Sequence, residues 1–236
     1  MHPFTRTPTS KSFKKTKINP LFFCDRLIVK TTFLTFFVFL LSGMVGFANA
    51  QNAPDPNSPD GLIKMIVADV MASVKADPEI QKGNIPRVVD LVEKKIVPYT
   101  DMRRTTQLAM GRNWSKASPE QQTQLIAEFK SLLIRTYSGA LSQLRDQTVQ
   151  YKPFRANSSD TDVIVRTVVI GKSDPIPLDY RLEKTNDGWK VYDINIMGAW
   201  LIEAYRNQFT NQISQNGVDG LIKFLQERNA MLAGKK

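Results

Sequence analysis

Two carboxylates, Asp179 and Asp193, sit on consecutive alternating segments and could face one another across a hairpin, as the acid and base of a hydrolase must. The chain offers little else for breaking bonds. Its single histidine and single cysteine, His2 and Cys24, both fall within the first fifty residues. Residues 51–236 therefore hold no imidazole base, thiol nucleophile, disulfide or Cys/His metal site. No nucleophile elbow, glycine-rich phosphate loop or nucleotide fingerprint accompanies the carboxylates, and a solvent-facing strand position explains Asp179 equally well. The other charged cluster that invites a function is Asp101, Arg103 and Arg104, as a headgroup or partner contact. The plainer reading is an acid placed to suit the dipole of a helix start.

The aromatic side chains point to a different chemistry, the solvation of something apolar. Phe129, Tyr137, Tyr151, Tyr180, Trp189, Tyr192, Tyr205 and Phe209 all lie on helix or strand stripes, so they converge where the helices meet a sheet. Such stripes are ordinarily core. The alternative is an apolar ligand pocket, typically about 300–1,000 Å³.

The elements that must position these residues follow from the hydrophobic period. Ile176, Leu178, Tyr180 and Leu182 alternate with polar neighbours, Asn186-Asp187-Gly188 supplies a turn, and Trp189 opens a second extended run. A helix over residues 199–213, apolar at Leu201, Ile202, Tyr205, Phe209 and Ile213, has the spacing to cover that hairpin. Upstream, Ser58-Pro59 and Ser118-Pro119-Glu120-Gln121 read as helix caps followed by proline, the second as a capping box. The helix after Ser118 carries Leu125, Phe129, Leu132, Leu133, Thr136, Tyr137, Ala140, Leu141 and Leu144 on its stripe. A short helix capped by Thr100 and stopped by Gly111 precedes it. Extended segments at 148–154, 163–170, 176–184 and 189–196, joined by short connections, predict an antiparallel meander. The second has apolar residues on both faces and is expected to be covered on both sides. A last helix begins near Gly217. The fold class is α+β: a four-stranded meander covered by N-terminal and C-terminal helices.

Residues 1–50 read as a cleaved secretory signal, with a basic leader, an uncharged apolar run over 31–47 and Ala48-Asn49-Ala50 at the cleavage site. Cys24 precedes the apolar run, so it is not placed as a lipoprotein's acylated cysteine. Residues 51–236 then form a single domain. Removing the seven bases and one acid of the leader lowers the formal charge from +10 to +4, with 25 bases against 21 acids. No basic stripe remains to track a nucleic acid.

The order and spacing of Asp101-Met102, Leu108, Gly111, Trp114, Gln122, Phe129, Leu133, Thr136-Tyr137, Asp179-Tyr180, Gly188-Trp189-Lys190-Val191-Tyr192-Asp193, Tyr205-Arg206 and Phe209 resemble the MlaC family. Ala199 and Met102 depart from it, standing where serine and phenylalanine are commoner. The resemblance implies a periplasmic phospholipid-binding protein of the pathway that maintains outer-membrane lipid asymmetry, also called a toluene-tolerance component. It implies a fold similar to nuclear-transport-factor-like domains, with acyl chains in an apolar cavity between sheet and helices. Its implied partners are the outer-membrane MlaA–porin complex and the inner-membrane MCE protein MlaD with its ABC transporter. No cofactor or metal is expected, and bound phospholipid is cargo. Phe129, Leu133, Tyr137, Tyr151, Val165, Tyr180, Ile194, Tyr205 and Phe209 are the expected lining. A carboxylate hydrolase and a lipid-free interaction module stay open as alternatives.

Overall fold

Side-chain caps, most of them followed by proline, set where the helices begin. In the computed structural model, which describes residues 54–234, the Ser58 hydroxyl accepts from the Gly61 N–H to open α1 (Pro59–Ala76). Asp77 caps the single turn α2 (Pro78–Gln81), and Asn84 caps α3 (Ile85–Lys95). Ser118 opens α5 (Pro119–Ser142) with both halves of the capping box formed, Gln121 N–H to Ser118 Oγ and Ser118 N–H to Gln121 Oε1. Such caps are worth about 1 kcal/mol each. The cap of α4 (Met102–Met110) is Asp101, one residue later than the sequence suggests. The Asp101 N–H is drawn to the Val191 carbonyl at 2.8 Å, and its carboxylate turns to accept from the Arg104 N–H, also at 2.8 Å.

The described residues all fall in one unit, Ala50–Lys236. The leader, its cleavage site, His2 and Cys24 lie outside the described residues.

The sheet is an antiparallel meander in the order β1 (Thr148–Tyr151), β2 (Asp162–Ile170), β3 (Ile176–Thr185), β4 (Gly188–Ile196) and β5 (Ala199–Trp200). The expected four strands are present, and a fifth takes two residues that periodicity assigns to the closing helix. Met197 (φ 53) and Gly198 (φ 93) both adopt left-handed backbone and fold the chain back on itself. Asn195 Oδ1 holds the turn by accepting from the Gly198 N–H, and Ala199 and Trp200 pair with Ile196 and Asn195.

Register decides what each face carries. Val165, Tyr180 and Ile194 share one row, and Thr167, Leu178 and Ile196 the next. A bulge between Arg181 and Leu182 sets Leu182 opposite Val191, so Val191 and Ile194, three residues apart, both turn inward. The other face carries Ile164, Arg166, Asp179, Arg181, Asp193 and Asn195. On β2 the inward Val163, Val165, Thr167 and Val169 are buried, whereas Ile164, Val168 and Ile170 are half-buried, so the outward side is less fully covered than expected.

The final helix, α6 (Leu201–Gly234), is two helices joined across a kink at Gly217 (φ 69, ψ −174), close to where the sequence places a new start. Apolar packing then divides in two. One cluster joins α1, α3 and Ile134 of α5 to the sheet's Val163, Val165, Leu182 and Val191. The other joins α4, Trp114, Leu125, Phe129 and Leu132 of α5, and Phe209, Ile213, Leu221 and Leu225 of α6. At about 1.5–3 kcal/mol per fully buried large apolar side chain, each cluster is a substantial core in its own right. α5 is the element common to both.

Candidate functional site

The site is built on α5, where the stripe that packs against α6 runs out of cover. Phe129 is 0% exposed and meets the rings of Tyr205 and Phe209 edge-on, each with centroids 4.9 Å away. One turn further, Leu133 is half-buried; beyond it Tyr137 is half-buried, and Thr136 and Ala140 are exposed. Helical spacing puts these residues in line with Phe129. The stripe is thus sealed at one end and partly uncovered at the other.

The nine residues singled out from the sequence separate accordingly. Phe129, Phe209 and Val165 (2% exposed) are sealed in protein contacts. Leu133 and Tyr205 pack half-buried against the helical cluster, and Tyr180 and Ile194 against the sheet cluster. Tyr151 on the edge strand is 37% exposed. Leu178 and Ile196 complete the inward row beside Tyr180 and Ile194 and were not singled out. Strand parity would have found them once Tyr180 and Ile194 were named.

Four tyrosines of this group are poised as neutral hydroxyls. Burial raises the phenols of Tyr137, Tyr151 and Tyr205 above their ordinary value, and pushes Tyr180 up to about 12. The upward direction reports hydroxyls held partly out of water.

The carboxylates take structural posts on the opposite face of the sheet. Asp193 is fully buried; one oxygen accepts from the Ile194 and Ile202 N–H groups at 2.9 and 3.1 Å, and the other pairs with Arg181 at 3.2 Å. It anchors the start of α6. Burial raises its pKa, opposed by those hydrogen bonds and by the Arg181 charge. Asp179 lies opposite Asn195, with Arg166 3.9 Å away. Arg181 in turn stacks on Trp200, 3.8 Å from the ring centre. Each acid thus has a cationic neighbour of its own.

The Asp101 cluster is likewise a tether. Arg104 reaches Glu183 at 3.0 Å and Asp162 at 3.5 Å, and lies over the Tyr192 ring, whose hydroxyl donates to Asp162 at 2.8 Å. Burial and the bond to Asp162 push Tyr192 up to about 12. The Thr105 hydroxyl reaches the Tyr192 carbonyl at 2.6 Å. Arg103 instead lies over Trp114, 5.4 Å from the ring centre. The Arg104 and Thr105 contacts bind α4 to β2, β3 and β4. Among the described residues no group of His, Cys, Asp and Glu is arranged to hold a metal ion, and no helix is long and apolar enough to cross a membrane.

A helical layer and an antiparallel meander, each with its own apolar cluster and with an open apolar stripe on the helix they share, define an α+β protein built around a candidate binding site. The chain belongs to the MlaC family, whose model, described as "MlaC protein", matches residues 64–227. It is similar to the intermembrane phospholipid transport system binding protein MlaC of Haemophilus influenzae, 22% identical over 81% of this chain and 91% of that one. The toluene tolerance protein ttg2D of Pseudomonas putida is 24% identical over 69% of this chain and 76% of its own. A solved structure of the phospholipid-binding protein from Ralstonia solanacearum, in complex with a phospholipid, is 58% identical, with a TM-score of 0.72 over 74% of this chain and 98% of that one.

Proposed function

We propose that the protein is a soluble periplasmic phospholipid carrier, not an enzyme, and that it moves lipid between outer-membrane and inner-membrane complexes. The observation that carries this reading is the α5 stripe, sealed at Phe129 and open from Leu133 to Ala140, in a relative of a structure solved with phospholipid. Leu133, Tyr137, Tyr151, Tyr180, Ile194 and Tyr205 are assigned to contact the acyl chains, with Phe129, Val165 and Phe209 as the wall behind them. On this reading the fold is nuclear-transport-factor-like and residues 1–50 are removed on export. The donor and acceptor complexes are those the resemblance implies, MlaA with a porin on one side and MlaD with its ABC transporter on the other.

The energetics explain why a carrier is needed. At ~0.8 kcal/mol per methylene, exposing an acyl chain of about sixteen carbons to water costs on the order of 12 kcal/mol, and a phospholipid has two. Apolar protein contacts remove most of that barrier. Tyrosine hydroxyls that stay neutral add few headgroup contacts, which suits a protein that must release its cargo at both ends.

Native mass spectrometry of the purified protein tests the reading. The expected result is a phospholipid adduct that organic extraction removes and added lipid restores. A protein that stays lipid-free after incubation with phospholipid vesicles, while folded, refutes the carrier and leaves the interaction module.

A further inference from the structure

A concave surface lies on the neighbouring face of α6. Tyr205 and Phe209 turn toward Phe129 of α5, while Arg206 and Thr210, each one residue further on, line an open cleft of about 550 Å³ against the end of α4 and the 3-10 turn Gly111–Lys116. Leu108, half-buried, supplies the apolar floor, while Met110 is sealed in the helical core at 1% exposed. Arg112 and Arg206 stand on the wall, with Gln107 and Asn113 beside them.

The charged residues that line this cleft, Arg112 and Arg206, have one sign. Residues 102–119 contain Arg103, Arg104, Arg112 and Lys116 and no acid. Arg104 is spent on Glu183 and Asp162. Among the described residues neither Arg112 nor Arg206 forms an ion pair, and Arg206 donates only its Nε, to the Leu108 carbonyl at 3.1 Å. That bond orients the guanidinium on the cleft wall and leaves its terminal nitrogens available for a bidentate carboxylate. Glu203, the acid in the first turn of α6, is not among the lining residues.

An apolar floor under two uncompensated guanidinium groups fits one class of occupant. A free phosphate would meet the charge and leave the half-buried Leu108 uncovered. A concave cleft flanked by a turn and a helix does not match a flat lipid surface. With a formal charge of +4 for residues 51–236 there is no basic stripe beyond it for a nucleic acid to follow. We propose that this cleft docks an acidic, amphipathic peptide segment of a protein partner, an apolar side chain on Leu108 and its carboxylates on Arg112 and Arg206. The proposal goes beyond the carrier reading and does not rest on it, because none of these residues is assigned to lipid.

The test uses the purified protein and a short fluorescein-labelled peptide with glutamates on one helical face and leucines on the other, read by fluorescence anisotropy. Binding is expected at low salt and is expected to weaken as the screening length falls from about 10 Å at 0.1 M to about 3 Å at 1 M. Arg112→Glu is expected to weaken it roughly tenfold or more, with lipid content and circular dichroism unchanged. Arg206→Glu is expected to do the same, but it also loses the bond to α4, so Arg112→Glu is the deciding variant. A peptide with lysine in place of glutamate is expected to ignore the native protein and to bind Arg112→Glu. The proposal is overturned if the acidic peptide does not bind, if Arg112→Glu binds it equally, or if equimolar inorganic phosphate displaces it. Failure here leaves the lipid adduct untouched, so the two readings fall separately.

Discussion

Phe129 and Leu133 are neighbours one helical turn apart on the same stripe, yet substitutions at the two positions are expected to fail in different ways. Phe129 is 0% exposed and packed edge-on between Tyr205 and Phe209 at 4.9 Å each, so truncation to alanine leaves a void that the rings around it can only partly fill. The cost is roughly 3–5 kcal/mol. For a domain of this size 1 kcal/mol moves the thermal midpoint by roughly 2–4 °C, so Phe129→Ala is expected to melt roughly 6–20 °C lower. Leu133 is half-buried at the open end, and Leu133→Trp has room to adopt a new rotamer at a cost of about 1–3 kcal/mol or less. If the indole occupies space for about three methylenes of an acyl chain, it forfeits ~2.4 kcal/mol of lipid binding, or roughly fiftyfold in affinity. Urea titration and native mass spectrometry on the same two variants separate the effects. The reasoning is refuted if Leu133→Trp unfolds like Phe129→Ala, which makes both simple core. It is refuted equally if Leu133→Trp stays fully loaded with lipid, which places the cargo elsewhere.

Three further outcomes follow from particular contacts. Asp193 has a folded pKa raised above 3.8 by burial, so its native state holds the proton longer than the unfolded chain does; its contribution to stability is greatest at low pH and declines as pH rises through the window between 3.8 and the raised value. The stability of the native protein minus that of Asp193→Asn is expected to decline across that window and then level off, and a difference that rises there reverses the assignment. Gly217→Ala is expected to cost about 1–3 kcal/mol in urea unfolding, since φ 69 with ψ −174 is open to glycine alone; the added Cβ meets nothing within 4 Å, so a neutral result would remove backbone strain as the reason for the kink. Asp179→Asn is expected to retain its lipid in native mass spectrometry, and lipid turnover that depends on this acid would revive the hydrolase.

Much of the fold is readable in the chain because its signals are local. Ser58-Pro59 and Ser118-Pro119 cap helices through atoms three residues away, and the alternation through Tyr180 and Leu182 fixes a face without reference to anything distant. What periodicity misses depends on contacts across the chain. Ala199 and Trp200 form a strand only because Met197, a residue with no intrinsic liking for positive φ, accepts one beside Gly198. Asp193 looks like a candidate acid until the Ile202 N–H, nine residues on, is seen to need it. The nine residues expected to line a pocket lie on stripes, and a stripe cannot say where cover stops. Phe129 and Tyr137 look alike in the sequence and both meet Tyr205 of α6, yet one is sealed and the other half-buried.

The length of α5 beyond its sealed portion has a dimensional meaning. From Leu133 to Ala140 the open run is eight residues, roughly 12 Å of rise. A bilayer's hydrocarbon interior is about 30 Å thick, so a single leaflet is about 15 Å deep. On the carrier reading, this helix offers a bench nearly as deep as the half-membrane a tail has just left, and most of the tail exchanges one wall for another without having to curl.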